Sequence, residues 1–513
     1  MFDNMSQQVR VIIAVILALL FFSVYGYLVP QPVQQEQNST LNEQSTKVTK
    51  DALLPNKESK KTSKIIASVK NEHFSASINE NGEISSFLLE DNRFKNENNE
   101  AINLVNDELL PLSMQFYDED FQKLYNSQAF SVQKQEFNTN EDIVLSKNLN
   151  GVILEKIINF KDNGFYEVKL KISDDKEHKF VITPGLRPNI LADSLTVHGA
   201  MIYKSDETKD DYEDDSIKKA DEVVISNAQI AAFSDRYYTT LFYNFNQDFK
   251  VVLTNSTSNL TQGRIIATNN AHFYAYIGPK EHKILDGADK RLSNVVEYGW
   301  FTFIAKPMFA FLNSIYNFVG NWGWAIVILT IIIRIILFPL TYKSMVSMQK
   351  LKILAPKMKE IQEKYKGEPQ KMQMHIMNLY KEHKANPLGG CLPILIQIPI
   401  FFAIYRVLLN AIELKAAPWA LWINDLALHD PFYILPIYMG LTMFLQQVIT
   451  PMNIQDPTQA KIMKFLPLIF VIFFISFPAG LTLYWCVNNT FSLAQQYFIN
   501  KIFAQKEKSN ASK

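Results

Sequence analysis

Between Trp324 and Ile499 the chain carries a succession of apolar runs, Trp324–Leu340, Leu388–Leu409, Phe432–Ile449, Phe465–Phe477 and Leu481–Ile499. No ordinary soluble fold absorbs so many. A bilayer core of ~30 Å crossed at ~1.5 Å per residue needs about 20 apolar residues. The last two runs are separated only by Pro478-Ala479-Gly480, which predicts a tight hairpin. Phe465–Phe477 is short for a span and needs a thinned bilayer or a sheltered place in the bundle. Near the N-terminus, Val11 to Val29 is a further apolar run preceded by Arg10. It reads as a signal-anchor with a cytoplasmic N-terminus. The rival reading is a cleaved signal peptide. Against it, the run is long for that purpose and Tyr25-Gly26-Tyr27-Leu28-Val29-Pro30 offers no clear small-x-small site.

The stretch between these regions is polar. Residues 30–63 are rich in Gln, Asn, Ser, Thr and Lys, too poor in apolar surface to fold, and predict a flexible linker. Residues 64–295 alternate as β-strands do. Phe74, Ala76 and Ile78 precede Asn81-Gly82. Leu154–Phe160 precedes Asn163-Gly164, then Tyr166, Val168, Leu170 and Ile172 follow. Asn-Gly suits a type I′ turn, in which both central residues have φ > 0, so the segment predicts a large antiparallel sandwich. Lys204–Asp215 is acidic but lacks the glycine and closing glutamate of an EF-hand, and reads as a solvated loop. Trp300–Phe318 mixes aromatic residues with Lys306, Pro307 and Asn313. It predicts a helix lying in the membrane interface.

Loop charge sets the topology. Tyr342–Pro387 holds ten Lys against four Glu and is expected in the cytoplasm. Glu413–Pro431 carries Glu413, Asp425 and Asp430 against Lys415 and is expected outside. The tail, with Lys501, Lys506, Lys508 and Lys513, is expected inside. Six spans with both termini cytoplasmic satisfy every assignment and put the β domain outside. The expected segments are an N-terminus and first span (1–29), the linker (30–63), the β domain (64–295) and an interfacial helix (296–320). A second span (321–341), a cytoplasmic hairpin (342–387), a third span (388–412) and an outer loop (413–431) follow. The fourth span (432–450), a short loop (451–463), the fifth and sixth spans (464–478 and 480–500) and a basic tail (501–513) complete the chain.

Arg334 is the most informative residue. It sits between Ile331-Ile332-Ile333 and Ile335-Ile336-Leu337, where an arginine costs ~2.5–3.5 kcal/mol on insertion scales. No Asp or Glu lies in the later spans to neutralise it, which points to a hydrated cavity rather than a buried ion pair. Thr330 precedes it by one turn. Tyr484, Asn488, Ser492 and Gln495 form one helical stripe, Tyr438, Thr442, Gln446 and Thr450 another, and Gln397 lies mid-span. Interhelical hydrogen bonding is the competing account of each stripe.

In the basic loop, Leu351, Leu354, Met358, Ile361 and Tyr365 keep helical spacing, Gly367-Glu368-Pro369 interrupts it, and Met372, Ile376 and Leu379 resume it. This predicts a helical hairpin whose methionines form its seam or an adaptable docking surface. The 51 basic and 51 acidic side chains balance, which gives no sign of a nucleic-acid binder. The two cysteines, Cys391 and Cys486, lie in apolar runs, and the eight histidines are scattered, so no disulfide framework or metal site is expected. NTPase, HExxH, GxSxG and paired CxxC signatures are absent, and no enzyme or cofactor is expected.

Several motifs occur in one order over residues 321–500. They are Asn321-Trp322-Gly323-Trp324, Arg334 with Pro339-Leu340-Thr341, Asn386-Pro387-Leu388-Gly389-Gly390-Cys391, and Pro393 with Gln397-Ile398-Pro399. Asp430-Pro431 with Leu435-Pro436, and Phe477-Pro478-Ala479-Gly480-Leu481 with Leu483-Tyr484, complete them. Together they resemble the YidC family of membrane insertases (YidC/Oxa/Alb), in its Gram-negative form. Trp485 departs from the second tyrosine often found there. The resemblance implies a multi-domain membrane protein of six transmembrane helices, an N-terminal anchor plus a five-helix core. It adds a periplasmic antiparallel β-supersandwich and a cytoplasmic helical hairpin, in the bacterial inner membrane. It implies a hydrophilic groove of Arg334, Thr330, Gln397, Gln446, Tyr484, Trp485 and Asn488, and a hydrophobic slide of Ile398, Phe402, Phe470, Phe473 and Phe477. The implied partners are nascent membrane-protein clients, the lipid bilayer, the Sec translocon and the ribosome with the signal recognition particle pathway. No cofactor, metal, nucleic acid or small-molecule substrate is implied. The alternatives are a secondary transporter of an anionic solute, and a β-domain module merely anchored by the helices. Matching broken helices and an intramembrane carboxylate, which the first would need, are missing. Five further spans exceed what the second needs.

Overall fold

A computed structural model describes residues 63–95, 100–188, 190, 198–214, 216–218, 221–296, 298, 301–383, 392–450 and 457–511. The expected first span and the linker up to residue 62 lie outside the described residues. So do the Asn386–Cys391 motif, the start of the loop after the fourth span, and the final two residues. The chain divides into two compact units, with the division between Val296 and Glu297.

The first unit is built on two sheets. The smaller has five strands in the order Ile102–Asn103, Ile84–Leu89, Phe74–Asn79, Ile65–Lys70, Glu136–Phe137, and only the last pair runs parallel. The larger has twelve antiparallel strands. From its middle to one end it runs Val223–Ser234, Tyr238–Tyr243, Asn270–Pro279, Phe165–Ile172, Val152–Phe160, Asp142–Leu149. Asp142–Leu149 and Phe165–Ile172 alternate buried and open positions, whereas Gly199–Lys204 and Tyr238–Tyr243 are buried on both faces; the apolar faces of the two sheets close on each other as a sandwich. Phe74 stacks on Phe87 at 4.7 Å and meets Phe160 of the larger sheet at 5.9 Å. Helix α1 (Glu119–Ser127) is capped by Asp118, whose carboxylate accepts from the Asp120 and Phe121 amides. Helix α2 (His282–Ala288) and a 3-10 helix (Lys290–Val295) end the unit.

A lysine pins the sheets together. Lys156 is 0% exposed, and its Nζ donates to Gly82 O at 2.8 Å and Leu112 O at 2.9 Å. Burial pushes this ammonium down to about 7, opposed by the Glu83 carboxylate.

The turns differ from the sequence expectation in an instructive way. At Asn81-Gly82 and Asn163-Gly164 only the glycines take positive φ, 71° and 88°. Asn79 N bonds Glu83 O at 2.9 Å and Lys161 N bonds Phe165 O at 2.7 Å, so three residues are enclosed and one left-handed position suffices. The turn with both central residues positive is Asn150-Gly151, at 53° and 99°, closing the Leu149–Val152 pair. The acidic segment is also not a plain loop. Lys209–Glu213 forms an edge strand against Gly199–Lys204, and Lys204–Asp210, Lys209–Asp211 and Arg187–Asp214 ion pairs hold its carboxylates. Charged residues on an exposed edge strand discourage pairing with another chain, and their charge hid the strand.

The second unit is helical: α3 (Thr302–Val319), α4 (Trp322–Ile336), α5 (Phe338–Lys364), α6 (Pro369–Glu382), α7 (Leu392–Asn410), α8 (Ile434–Ile449), α9 (Pro457–Phe474) and α10 (Ala479–Ala511). Helix α3 leaves Phe303, Phe311 and Phe318 exposed, the last at 91%. Gly320 ends it in the left-handed region, and Asn321 then caps α4 by accepting from Trp324 N. Helix α4 stops at Leu337, short of the expected Thr341, and the chain bends by 61° into α5. Pro339 has no N–H to continue the ladder and suits the first turn of a new helix.

Among the described residues no single helix is long and apolar enough to cross a membrane. The bent pair α4–α5 passes together, and Gln397–Asn410, Ile434–Ile449 and Phe465–Phe474 are shorter apolar helices. Two of these carry apolar faces that no other described residue covers. On α8 these are Ile437, Leu441, Phe444, Leu445 and Val448; on α9, Phe465, Leu468, Ile469, Ile472 and Phe473. Contiguous exposed apolar faces of this kind need lipid or a partner. Helices α5 and α6 pack through Leu354, Leu379 and Tyr380, with Leu351, Met358, Ile361 and Ile376 around them. Gly367, at φ 100°, reverses the chain between them.

Candidate functional site

The motif residues hold the helical unit in shape. Gly323 lies so close to Trp419 that an added Cβ would stand 2.2 Å from its ring. Asp430 accepts from Trp422 Nε1 (3.0 Å), Phe432 N (3.0 Å) and Leu435 N (2.7 Å), which fixes the entry to α8. Ala479 N and Gly480 N donate to Leu428 O and Leu426 O, so the Pro478-Ala479-Gly480 turn docks on the loop before α8. These contacts gather α4, α8 and α10 around the loop that follows α7.

Where they meet, Arg334 is 7% exposed and its Nε donates to Asn488 Oδ1 at 2.7 Å. Gln397 Nε2 donates to Tyr484 OH at 3.2 Å and to Asn488 Oδ1 at 3.4 Å. Three helices thus deliver a cation, two amides and a phenol to one buried polar nest. Among the described residues no carboxylate pairs with Arg334. Among the described residues its guanidinium is answered by the neutral Asn488 amide.

The other expected groove residues fall elsewhere. Thr330 is buried one turn from Arg334, but its hydroxyl donates to Ile326 O of its own helix at 2.6 Å. Gln446 is half-buried on α8, with no hydrogen bond to the nest. Its stripe divides: Tyr438 OH bonds Thr490 Oγ1 at 2.9 Å, tying α8 to α10, and Thr442 bonds Met439 O. Trp485 forms no hydrogen bond to the nest among the described residues and meets the Tyr484 ring edge-on at 6.5 Å. Its ring lies 5.1 Å from Phe401, 5.7 Å from Phe474 and 6.4 Å from Phe470.

That aromatic cluster contains much of the expected slide. Phe473 meets Phe477 at 4.8 Å, and Phe477 meets Phe474 at 5.0 Å and Tyr405 at 6.1 Å. Ile398 is half-buried on α7, and Phe402 stacks on Phe301 at 5.5 Å. Sequence reading missed Phe401 and Phe474. The signal was present in the i, i+4 pairs Phe470–Phe474 and Phe473–Phe477 and in Phe401 beside Phe402.

Further along α10, Gln349 and Gln496 both donate to Asn500 Oδ1, and Asn500 Nδ2 donates to Ile449 O at 2.8 Å. In the first unit a cavity of about 480 Å³ opens over Phe94, Ile277 and Ile284, rimmed by His73, Asp91, Arg93 and Glu281. Arg93 there is held by Asp91 (2.8 Å) and Glu281 (3.0 Å). No group of three or more His, Cys, Asp or Glu side chains fit for a metal occurs among the described residues.

A β-sandwich unit and a unit of apolar helices with uncovered faces and a buried arginine are the marks of a membrane protein with a large extramembrane domain. The comparisons place it more closely. Residues 67–311 match the model of the YidC periplasmic domain, and residues 314–507 that of the 60Kd inner membrane protein family. Proteins named membrane protein insertase YidC are similar over essentially the whole length. That of Campylobacter jejuni is 52% identical, covering 99% of each chain. That of Wolinella succinogenes is 45% identical, covering 100% of this chain and 98% of its own. That of Helicobacter pylori strain 26695 is 41% identical, covering 99% of each. The chain belongs to the YidC family of inner membrane proteins.

Proposed function

We propose that this chain is a membrane protein insertase and chaperone that inserts, folds and assembles integral inner-membrane proteins, with Arg334 as the centre of its polar groove. The observations that carry the reading are the Arg334–Asn488–Gln397–Tyr484 nest and, in the same helical unit, an apolar face on α9 that no described residue covers. The nest takes the polar tail of a client while the apolar face receives its hydrophobic segment.

The energetics require no fuel. A client helix of ~20 Leu-like residues gains roughly 0.3–0.6 kcal/mol per residue near the bilayer centre. The obstacle is carrying a short polar tail across hydrocarbon. A polar groove partway through the membrane shortens that path, and Arg334 transiently holds acidic groups on the tail. A membrane potential positive outside then draws each anion outward by ~2.3 kcal/mol per 100 mV.

The finer topology belongs to the same reading. The apolar runs make six spans with both termini cytoplasmic, and the β unit lies in the periplasm. The α5–α6 hairpin, with Ile353, Met374 and Met377 exposed, receives clients on the cytoplasmic side. Ile398, Phe402, Phe470, Phe473 and Phe477 form the slide, extended by Phe401, Phe474 and Trp485. Thr330 and Gln446 border the groove. The protein acts alone or beside the Sec translocon, receives clients from ribosomes, and is not an enzyme.

The test is insertion of a short single-span client with an acidic tail into liposomes holding the purified full-length protein, with Arg334→Ala and Arg334→Lys beside wild type. Wild type inserts above empty liposomes, Lys retains most of the activity, and Ala loses about tenfold or more, the value of one charge-assisted hydrogen bond. An Ala variant as active as wild type removes Arg334 from the mechanism. A wild type that inserts nothing, alone or with its partners, refutes the insertase reading.

A further inference from the structure

Along the buried stripe of α10, most polar side chains find protein partners. Asn488 answers Arg334 and Gln397, Ser492 donates to Asn488 O at 3.0 Å, and Gln496 and Asn500 close a cluster with Gln349. Gln495 stands between the two clusters and is different. It is 6% exposed, and neither its amide oxygen nor its amide nitrogen has a hydrogen-bond partner among the described residues. It lies seven residues beyond Asn488, on nearly the same helix face and about 10 Å along the axis. Burying both ends of an amide unanswered costs free energy that an apolar residue would avoid.

We propose that Gln495 is a second binding station of the groove, and that its ligand is a backbone peptide group of the client's extended tail. A carboxamide presents one acceptor and two donors, the complement of a peptide N–H and C=O. It is neutral, so it cannot select the acidic groups that suit Arg334. It holds any polar tail by the one polar feature every tail shares. A tail passing between the Gln349–Gln496–Asn500 cluster and the Arg334 nest meets Gln495 midway and exchanges successive peptide groups there. Arg334 thus sorts by charge and Gln495 does not. The inference rests on the insertase reading and adds the chemistry of a contact to it.

The experiment compares full-length wild type, Gln495→Leu and Gln495→Asn in liposomes. Three single-span clients differ only in their tails: Gly/Ala, Asn/Ser-rich, and acidic. In the Gly/Ala tail, peptide groups are the only polar atoms. Gln495→Leu is expected to slow insertion of all three by a similar factor of about ten, the effect of one net hydrogen bond, with Gln495→Asn in between. Its thermal unfolding midpoint is expected to equal or exceed that of wild type, because leucine fills the site without an unanswered amide. An unchanged rate overturns the proposal. So does a loss confined to the acidic tail, a loss confined to the Asn/Ser tail, or a lowered midpoint, which would mark Gln495 as structural. If wild type inserts none of the clients, the insertase reading fails and this inference with it. Activity in wild type and in Gln495→Leu alike removes the inference alone.

Discussion

Replacing Asn488 with leucine should damage the helical unit more than replacing Arg334 itself. In Asn488→Leu the guanidinium stays buried but loses the Oδ1 it reaches at 2.7 Å. A hydrogen bond to a charged group contributes about 1.5–3 kcal/mol, and stranding a buried charge costs about 3–5 kcal/mol. Gln397 loses an acceptor as well. Arg334→Leu removes the charge together with the bond. The ~2.5–3.5 kcal/mol that arginine costs at a helix centre is recovered and offsets most of what is lost. The expected order is a loss of about 3 kcal/mol for Asn488→Leu, a change within about 1 kcal/mol for Arg334→Leu, and a double variant close to Arg334→Leu. At 2–4 °C per kcal/mol for a unit of this size, Asn488→Leu lowers the unfolding midpoint by about 6–12 °C. All six tryptophans fall between residues 300 and 485, so intrinsic fluorescence in detergent at one fixed heating rate follows the helical unit without the β unit. Finding Arg334→Leu the most damaging of the three, or the double variant equal to the sum of the singles, refutes the claim that neutral dipoles hold an uncancelled charge.

Two further expectations concern packing. Because burial lowers the Lys156 ammonium from 10.5 to about 7, the unfolded chain binds more protons between those values. The β unit should therefore gain stability as pH rises from about 7 to 9.5, by at most ~1.4 kcal/mol per pH unit from this residue. Lys147, pushed down to about 8 by burial, adds to the slope above that value. Hydrogen exchange of amides in Val152–Phe160 checks this, and Lys156→Met should flatten the slope. A steeper slope in that variant would contradict the assignment. Gly323→Ala forces a methyl to within 2.2 Å of Trp419 and should cost about 1–3 kcal/mol, read as a lower fluorescence-detected midpoint. An unchanged midpoint would mean that the Trp419 loop is free to move aside.

Periodicity made the centre of the site legible before any coordinates. Tyr484 and Asn488 share a helix face because they are four apart, and Arg334 stands out because its neighbours are isoleucine. The same rule separates Trp485 from Tyr484, since adjacent helical residues point about 100° apart. Grouping the two by motif put Trp485 with the groove, whereas its ring lies among phenylalanines. Gln446 and Tyr438 share a stripe, yet what each meets depends on which helix lies opposite, and spacing within α8 carries no such information. The sandwich was legible through its alternation, but its strand order was not. Asn270–Pro279 pairs with Phe165–Ile172 across about a hundred residues, and nothing local announces the match. The Pro339 bend was readable in principle, because a proline without a donor favours a new first turn over a continued span.

The central claim is that a client's polar tail and apolar segment part company inside the helical unit. The most direct test stalls a single-span client partway through insertion, with a photoreactive group placed in turn at Gln397, Phe470 and Phe473, and at Phe318 on the exposed face of α3. The account predicts that the group at Gln397 captures the client's tail, that those at Phe470 and Phe473 capture its apolar segment, and that the one at Phe318 captures neither. Capture of the apolar segment from Gln397, or of the client from Phe318 alone, would contradict it.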